Sequence, residues 1–164
     1  MTTDANRATV LQFYQSFDER QFERAMALLS PNCVAHMAGV QGAMNRQEFE
    51  AFGSSFYSAF DRGQHQFDEI IATGDRVVTS GTFTATHLGA FQGLPATGQR
   101  ICISVMHIDR VENGAIVEHW GQGNALGLMQ QLGMLVIPGP KLLTRGFKSA
   151  ISKLFSSSKV DTRS

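Results

Sequence analysis

Four side chains in the second half of the sequence could together carry out proton transfer. They are an imidazole, an indole and two carboxamides, at His107, Trp120, Gln122 and Asn124. An unperturbed imidazole has a pKa of about 6.5, which suits it to accept or donate a proton near neutral pH. A carboxamide has no basic site near that pH, but it can donate a hydrogen bond to an oxyanion. These residue types predict general acid–base catalysis with His107 as the base and Asn124 positioning the substrate or stabilising an oxyanion.

A predicted hairpin would bring these groups together. The Asn113-Gly114 pair lies between two strand-like runs, and both central positions of the favoured two-residue turn need a positive φ. Counting outward from this turn places His107 opposite Trp120, and directly opposed residues share one face of a sheet. The count predicts that the imidazole, the indole and both carboxamides point to the same side. It also predicts that His119 faces the other way, at an interface or on the surface.

Patterns typical of cofactor sites are not visible in the sequence. None of the five histidines has a second histidine two or four residues away, and Cys33 and Cys102 lack the spacing of a metal site. The glycines that follow Trp120 do not match the nucleotide-binding G-x-G-x-x-G pattern, and no G-x-S-x-G elbow of a serine hydrolase occurs. We therefore predict that the protein uses no metal and no other cofactor.

The first part of the sequence has the spacing of amphipathic helices. Apolar residues recur every three or four positions over residues 10–17, 22–29 and 49–60, which is typical of helices that bury one face. Asn45, followed three residues later by a glutamate, matches a capping box at the start of the third stretch. The sequence predicts three helices, the last of which ends near Gly63.

The next part has the two-residue alternation of β-strands. Over residues 76–87 one face carries mainly apolar side chains and the other is rich in threonine, which is typical of a sheet with one partly exposed face. Helices that precede a run of antiparallel strands predict an α+β fold with the helices on one face of the sheet. The predicted strands are residues 33–37, 66–71, 76–87, 101–111 and 115–120.

Three blocks of the sequence resemble the SnoaL-like polyketide cyclases, also called ester cyclases, of the NTF2-like superfamily. The blocks are Gly93–Arg100, Glu112–Trp120 and Gln130–Gly133. The resemblance implies a cone-shaped fold, in which a curved antiparallel sheet wraps around N-terminal helices and encloses an apolar pocket. It also implies a homodimer that forms through the outer face of the sheet. The implied activity is cofactor-independent acid–base chemistry on a small hydrophobic, polyketide-like carbonyl compound: aldol cyclisation, isomerisation or a related lyase-type reaction.

The resemblance also suggests roles for individual residues. The family's acid–base residue is an aspartate a few positions after the tryptophan, and in this sequence that position is Asn124. His36 matches a histidine that is common at the pocket wall in the family. His87 and Phe91 would lie near the pocket mouth. With Trp120 and Gln122, these three residues complete the set of expected substrate contacts.

Three interpretations of the missing aspartate are open at this stage. In the first, the protein is an enzyme that uses His107 as its base. In the second, it is a non-catalytic ligand-binding module of the NTF2-like type, in which Asn124, Gln122 and Trp120 confer specificity. In the third, His107 is a core histidine that bonds a neighbouring group, because buried polar groups are generally satisfied locally.

Length and charge set the remaining expectations. The 164 residues fit one main domain, predicted over residues 1–137, and the 14 basic side chains balance the 14 acidic ones, so no nucleic-acid partner is expected. Residues 138–164 contain all four lysines and predict a basic amphipathic helix over residues 141–155 followed by a flexible tail. That helix either makes weak contact with an anionic membrane surface or packs on its own domain or across the dimer. The absence of a signal peptide or of about 20 consecutive apolar residues predicts a cytoplasmic protein.

Overall fold

The computed structural model describes residues 2–134, which form a mixed α and β structure. In chain order the elements are α1 (Thr3–Asp18), α2 (Phe22–Ala27), β1 (Leu29–Met37), β2 (Met44–Asn45), α3 (Arg46–Ala59), β3 (Phe60–Thr73), β4 (Arg76–His87), β5 (Arg100–Glu112), β6 (Ala115–Gly123) and α4 (Ala125–Gln131). The predicted boundary near residue 138 and the predicted tail helix lie outside the described residues. Between residues 2 and 134, no helix is long and apolar enough to cross a membrane.

Helices α1 and α3 begin where the sequence supplies capping groups. The Thr2 hydroxyl accepts a hydrogen bond from the Ala5 backbone N–H at the start of α1. At the start of α3 the Asn45 side chain accepts from the Glu48 N–H at 3.0 Å, while the Glu48 carboxylate accepts from the Asn45 N–H at 2.8 Å. This reciprocal pair is the predicted capping box, and it satisfies two backbone donors that would otherwise lack partners.

The six strands form one sheet in the order β2-β1-β6-β5-β4-β3. The pairs are antiparallel except for β1 and β6, which are parallel. The predicted α+β class is confirmed, with this one parallel pair as a difference in detail. Along β4, the predicted face of Val77, Thr79 and Phe83 is buried. Within β4, Gly81 lets β3 approach closely, since a Cβ there would lie 2.0 Å from the Gln66 carbonyl oxygen.

Two strands begin earlier than the periodicity predicted. β1 begins at Leu29, where helical spacing was expected to continue, and it includes Pro31. Proline has no N–H to continue a helix, so the chain becomes extended there. β3 begins at Phe60, which pairs with His87. The spacing of the phenylalanines predicted a helix that continues past residue 60, but α3 ends at Ala59.

The β5–β6 turn forms as predicted. Asn113 and Gly114 have φ values of 50° and 83°, the left-handed conformation that this turn requires. Beside the turn, Val111 pairs with Ile116, which is the predicted register.

One residue farther from the turn, β6 contains a bulge. Arg110 pairs with Glu118, so Val117 is an extra residue on its strand. The expected register would have placed Asp109 opposite Glu118, where two carboxylates repel each other. In the observed register, Arg110 Nε instead donates a hydrogen bond of 3.0 Å to Glu118 Oε2. The bulge thus exchanges a like-charge pair for an opposite-charge pair.

The bulge reverses the facing of every later residue of β6, because side chains alternate between faces. His107 lies opposite Gly121 instead of Trp120, and Asp109 lies opposite His119. The prediction that His107 and Trp120 share a face is therefore wrong. So is the prediction that His119 faces away from His107.

Candidate active site

A cavity of about 290 Å³ lies between the helices and the inner face of the sheet. Most of its wall is apolar, and its exposed lining residues, such as Val40, Gln92 and Ala125, mark the mouth. The volume is at the lower end of the range of about 300–1,000 Å³ for small-molecule pockets. Seven phenylalanines line it, namely Phe13, Phe17, Phe49, Phe52, Phe56, Phe83 and Phe91. Such a wall suits a small hydrophobic ligand.

Three imidazoles line the cavity. They belong to His65 on β3, His107 on β5 and His119 on β6. The ring centroid of His107 lies 5.8 Å from that of His65 and 5.7 Å from that of His119. The ring of Tyr14, from α1, packs against His107 with 4.8 Å between centroids. The three imidazoles and this phenol therefore form one cluster of rings in the cavity wall.

His119 is held by a buried carboxylate. Its Nδ1 lies 2.8 Å from Asp109 Oδ1, and the other oxygen of Asp109 accepts a 2.8 Å hydrogen bond from the Tyr14 hydroxyl. A carboxylate can only accept, so Nδ1 carries the proton and the neutral ring has its lone pair on Nε2. No described residue hydrogen-bonds this Nε2. His119 therefore presents a proton acceptor at the cavity.

Tyr14 remains a hydrogen-bond donor because it is buried beside Asp109. Burial raises the pKa of the Tyr14 hydroxyl well above its usual value, and the neighbouring carboxylate of Asp109 raises it further. A phenol that stays protonated can donate permanently to Asp109. The carboxylate then has one donor on each oxygen, which is what a buried charge requires.

Gly121 lets the Met37 side chain and the His119 ring approach the backbone of β6 closely. A Cβ at this position would lie 2.6 Å from Met37 Sδ and 3.0 Å from His119 Nε2. Any larger residue would therefore push against Met37 and cover the nitrogen. The bulge places this glycine, instead of Trp120, opposite His107.

His107 is a neutral imidazole in this site. Its Nδ1 lies 3.1 Å from the Thr79 hydroxyl. Burial lowers the pKa of His107 well below 6.5, and repulsion from His119 and His65 lowers it further. A threonine hydroxyl can donate or accept, so both tautomers of His107 fit, and Nε2 can present an N–H or a lone pair to the cavity. A neutral imidazole can thus donate a hydrogen bond to a developing oxyanion.

A second carboxylate holds His65. Asp18, the last residue of α1, has Oδ1 at 2.8 Å from His65 Nδ1 and Oδ2 at 2.8 Å from the His65 backbone nitrogen. The Tyr57 hydroxyl, from α3, donates to the same carboxylate at 3.2 Å. The cavity therefore has two imidazoles that each contact an aspartate through Nδ1, and each of these aspartates accepts a hydrogen bond from a tyrosine hydroxyl.

Two of the predicted site residues, His107 and Phe91, line the cavity. Gln122 also borders it, but the bulge gives Gln122 the facing of Trp120 and not the predicted facing of His107. Asn124 does not line the cavity. Its side-chain oxygen accepts a 2.8 Å hydrogen bond from the Gly127 N–H and caps α4. The prediction that Asn124 points into the pocket beside His107 is therefore wrong, because its carboxamide serves the helix that begins there.

Trp120 and His36 lie on the outer face of the sheet. Their rings stack with centroids 5.1 Å apart and planes inclined by 10°. The Arg76 guanidinium carbon lies 5.8 Å from the centre of the Trp120 ring, and His36 Nε2 lies 3.6 Å from Glu118. Both residues were expected to contact substrate. The bulge turns Trp120 outward, and His36 is its partner on β1.

His87 is buried below the loop that precedes β5. It is fully inaccessible, its Nδ1 lies 3.0 Å from the Thr97 hydroxyl, and its ring stacks on Phe60. The expectation that His87 lines the mouth is wrong. It supports the loop that carries Phe91, which does line the cavity.

Sequence reasoning missed five residues of the polar network: Tyr14, Asp18, His65, Asp109 and His119. Asp109 carried a usable signal, because it is the one charged residue on the buried face of β5, between His107 and Val111. A charge at an inward position needs a partner. His119 on the neighbouring strand is the side chain that provides it.

Among residues 2–134, no three histidine, cysteine or acidic side chains are placed to hold one ion.

Comparison with known proteins gives the family. A family model described as "SnoaL-like polyketide cyclase" matches residues 8–132. The chain belongs to this family. No curated protein matches the chain. The buried carboxylates of this SnoaL-like cavity are Asp18 and Asp109, whereas the position of the aspartate that the resemblance implied is Asn124.

Solved structures of related proteins share the SnoaL-like fold. AclR from Streptomyces galilaeus, proposed to be a hydroxylase, is 27% identical, with a TM-score of 0.76 over 82% of this chain and 100% of its own. IdmH from Streptomyces antibioticus, proposed to be a polyketide cyclase, is 26% identical, with a TM-score of 0.70 over 79% of this chain and 99% of its own. A SnoaL-like protein from Jannaschia is 19% identical, with a TM-score of 0.74 over 81% and 94% of the two chains, and shows the fold alone.

Proposed function

We propose that this SnoaL-like protein closes a ring in a small polyketide-like carbonyl compound by intramolecular aldol addition, without a cofactor. The observation that carries the proposal is the pair of His119 and Asp109, buried beside the neutral His107 in an apolar cavity. Family membership and the likeness to IdmH support the reaction class.

His119 serves as the base in this reaction. Its Nε2 takes a proton from a carbon flanked by carbonyl groups, and the electron pair of the broken C–H bond passes into an enolate. Asp109 stabilises the imidazolium that forms, and it fixes the tautomer that makes Nε2 basic. Acid–base catalysis of this kind contributes about 100- to 10,000-fold to a rate.

His107 acts on the enolate oxygen. As a neutral imidazole in a buried site, it can donate its Nε2–H to the negative oxygen without bringing a charge of its own. The sequence suggested His107 as the base. Its lowered pKa makes it a weaker base than an ordinary histidine, and the donor role uses the neutral state that burial imposes.

Ring closure follows inside the cavity. The enolate carbon bonds to a second carbonyl carbon of the same molecule, the π pair of that carbonyl moves to its oxygen, and the resulting alkoxide takes up a proton. The apolar walls exclude water and hold the substrate in a folded conformation. The two reacting carbons of the one molecule are then already close together, which lowers the entropic cost of the reaction.

The alternative is a ligand-binding module without catalysis. One experiment separates the two functions: an aryl-substituted linear triketone is incubated with the protein in D₂O, and products are followed by mass spectrometry and NMR. We expect deuterium at the central carbons and a cyclic product that is isomeric with the substrate or has lost water. His119→Gln should lose both activities. Binding with neither activity would favour the module, and a product with one added oxygen atom would favour hydroxylation, as proposed for AclR.

We also propose that the protein forms a homodimer through the outer face of the sheet. A row of cross-strand partners crosses that face, formed by Ile71, Val78, Ile108, Trp120 and His36. Ile71 and Ile108 are 49% and 36% exposed, although both are large and apolar. Sedimentation velocity should show a dimer that Ile108→Glu dissociates, whereas Leu88→Glu, the same change in an exposed loop, should not. A monomeric wild-type protein would contradict the proposal.

A further inference from the structure

His65 is built into the cavity wall in the same way as His119. Each ring has its Nδ1 at 2.8 Å from an aspartate oxygen, and each aspartate also accepts a tyrosine hydroxyl. The two histidines come from β3 and β6, which are separated in the sheet by β4 and β5. A ligand in the cavity therefore meets one carboxylate-supported imidazole on each side of His107.

The pair of His65 and Asp18 lies in a different setting from the pair of His119 and Asp109: its side chains are 11% and 12% exposed, against 3% and 0%. Asp18 ends α1, where the helix dipole is negative and a further negative charge is unfavourable. Within residues 2–134, the ion pair formed by Asp18 is the one with His65, and both side chains are largely buried. A buried carboxylate needs such compensation. The role proposed below requires an imidazolium at His65, which would neutralise the carboxylate at this helix end and present an Nε2–H to the cavity.

Tyr57 acts as a fixed donor to this pair. Burial raises the pKa of its hydroxyl well above the usual value, and Asp18 raises it further. The tyrosine therefore stays protonated and holds Asp18 in place. Hydrogen bonds from the Tyr57 hydroxyl and the His65 backbone account for both oxygens of the carboxylate without the His65 ring. Asp18 therefore keeps a donor on each oxygen when the His65 ring gives up its Nε2 proton.

We propose that His65 is the catalytic acid that protonates the alkoxide formed at the acceptor carbonyl. The inference rests on the proposed aldol function and assigns its substrate an orientation, with the acidic carbon at His119 and the acceptor carbonyl at His65. The Nε2–H bond of His65 breaks, its electron pair stays on nitrogen, and the proton passes to the alkoxide. At the end His119 has gained a proton and His65 has lost one, and exchange with water restores both.

This assignment defines the substrate class more narrowly. The molecule must carry an activated methylene between two carbonyl groups and a separate aldehyde or ketone that reaches the other side of His107. The ring distances of 5.8 Å and 5.7 Å on the two sides of His107 require that the two reacting ends fold toward each other across this ring. A lone 1,3-dicarbonyl unit would reach His119 but would give His65 nothing to protonate.

The test separates the two half-reactions. His65→Gln is compared with the wild type for deuterium exchange into a simple aryl β-keto ester and for cyclisation of the linear triketone. We expect exchange within about twofold of the wild type and cyclisation reduced by about 100-fold, the scale of one lost acid catalyst. The control is Asp75→Asn in the exposed β3–β4 turn, which should retain both rates.

The two rates distinguish a failure of the role of His65 from a failure of the aldol function. Equal cyclisation by His65→Gln and the wild type would overturn the role of His65 while leaving the aldol function intact. Wild-type protein that neither exchanges nor cyclises would overturn the aldol function itself. If His65→Gln does not fold, Tyr57→Phe removes one support of Asp18, and its cyclisation should fall by several-fold with exchange retained. Unchanged cyclisation in that variant would also overturn the proposal.

Discussion

Asp109 lies directly opposite His119, and its Oδ1 is 2.8 Å from His119 Nδ1. The relationship exists because Val117 bulges out of β6, and it assigns the lone pair of the neutral His119 ring to the nitrogen that faces the cavity. The two residues therefore behave as one functional unit.

Asp109→Asn should abolish most activity while keeping the shape of the side chain. An amide can donate to His119 Nδ1, which would move the ring proton to Nε2 and remove the base. We expect deuterium exchange into the aryl β-keto ester to fall by at least about 100-fold. Asp75→Asn, in the exposed β3–β4 turn, is the matched control. Wild-type exchange by Asp109→Asn would rule out the pair as the base.

Tyr14→Phe should destabilise the fold. The change leaves Asp109 Oδ2 buried without the donor that now lies at 2.8 Å, and an unpaired buried acceptor of this kind costs about 1–3 kcal/mol. Urea unfolding followed by circular dichroism measures the loss. Ser58→Ala removes a hydroxyl from the exposed side of α3 and should change the free energy of unfolding by less than about 0.5 kcal/mol. A Tyr14→Phe protein as stable as the wild type would contradict the role of the tyrosine.

His107 should make the fold less stable in acid. Its pKa is lower in the folded protein than its unfolded value of 6.5, so between these two values the unfolded chain binds a proton that the folded chain does not. Stability therefore rises with pH through this window and is fully present above pH 6.5. Urea unfolding at about pH 5 and about pH 8 should show a smaller pH effect in His107→Gln than in the wild type. Equal pH effects in both proteins would show that His107 is not protonated on unfolding.

Gly121→Ala should block the base without removing it. The added methyl would lie 2.6 Å from Met37 Sδ and 3.0 Å from His119 Nε2, so Met37 must move and the nitrogen becomes covered. We expect exchange activity to fall by about tenfold or more, consistent with a misplaced ligand. Gly123→Ala, whose methyl would approach Ile103 no closer than 3.7 Å, should lose much less. Similar rates in the two variants would show that the ligand does not pass over Gly121.

Asn124 should matter for stability more than for chemistry. Its side chain caps α4, so Asn124→Ala should cost about 0.5–2 kcal/mol. Asn124→Asp should preserve the cap, since aspartate is an equally good capping residue. Cyclisation assays of Asn124→Asp should show no gain over the wild type. A large gain would mean that this side chain does reach the cavity.

The amino-acid sequence by itself determined the local elements and the fold class. Helical spacing, the Asn45 capping box, the alternation of β4 and the Asn113-Gly114 turn each depend on residues close in sequence, and all of them appear in the structure. Three short blocks of sequence in the order typical of the family were enough to indicate it, because each block is recognised from neighbouring residues alone. The order of elements then limited the architecture to helices on one face of an antiparallel sheet.

Tertiary structure alone decided which side chains enter the cavity. The bulge at Val117 brings Glu118 opposite Arg110 on the neighbouring strand, and this single extra residue exchanges the faces of Trp120 and His119. The orientation of the His65 ring depends on its contact with Asp18, which lies 47 positions earlier in the sequence. Side chains of a strand alternate between the two faces of the sheet. A shift of one residue hardly alters the sheet, but it exchanges the side chains that face the cavity with those that face away.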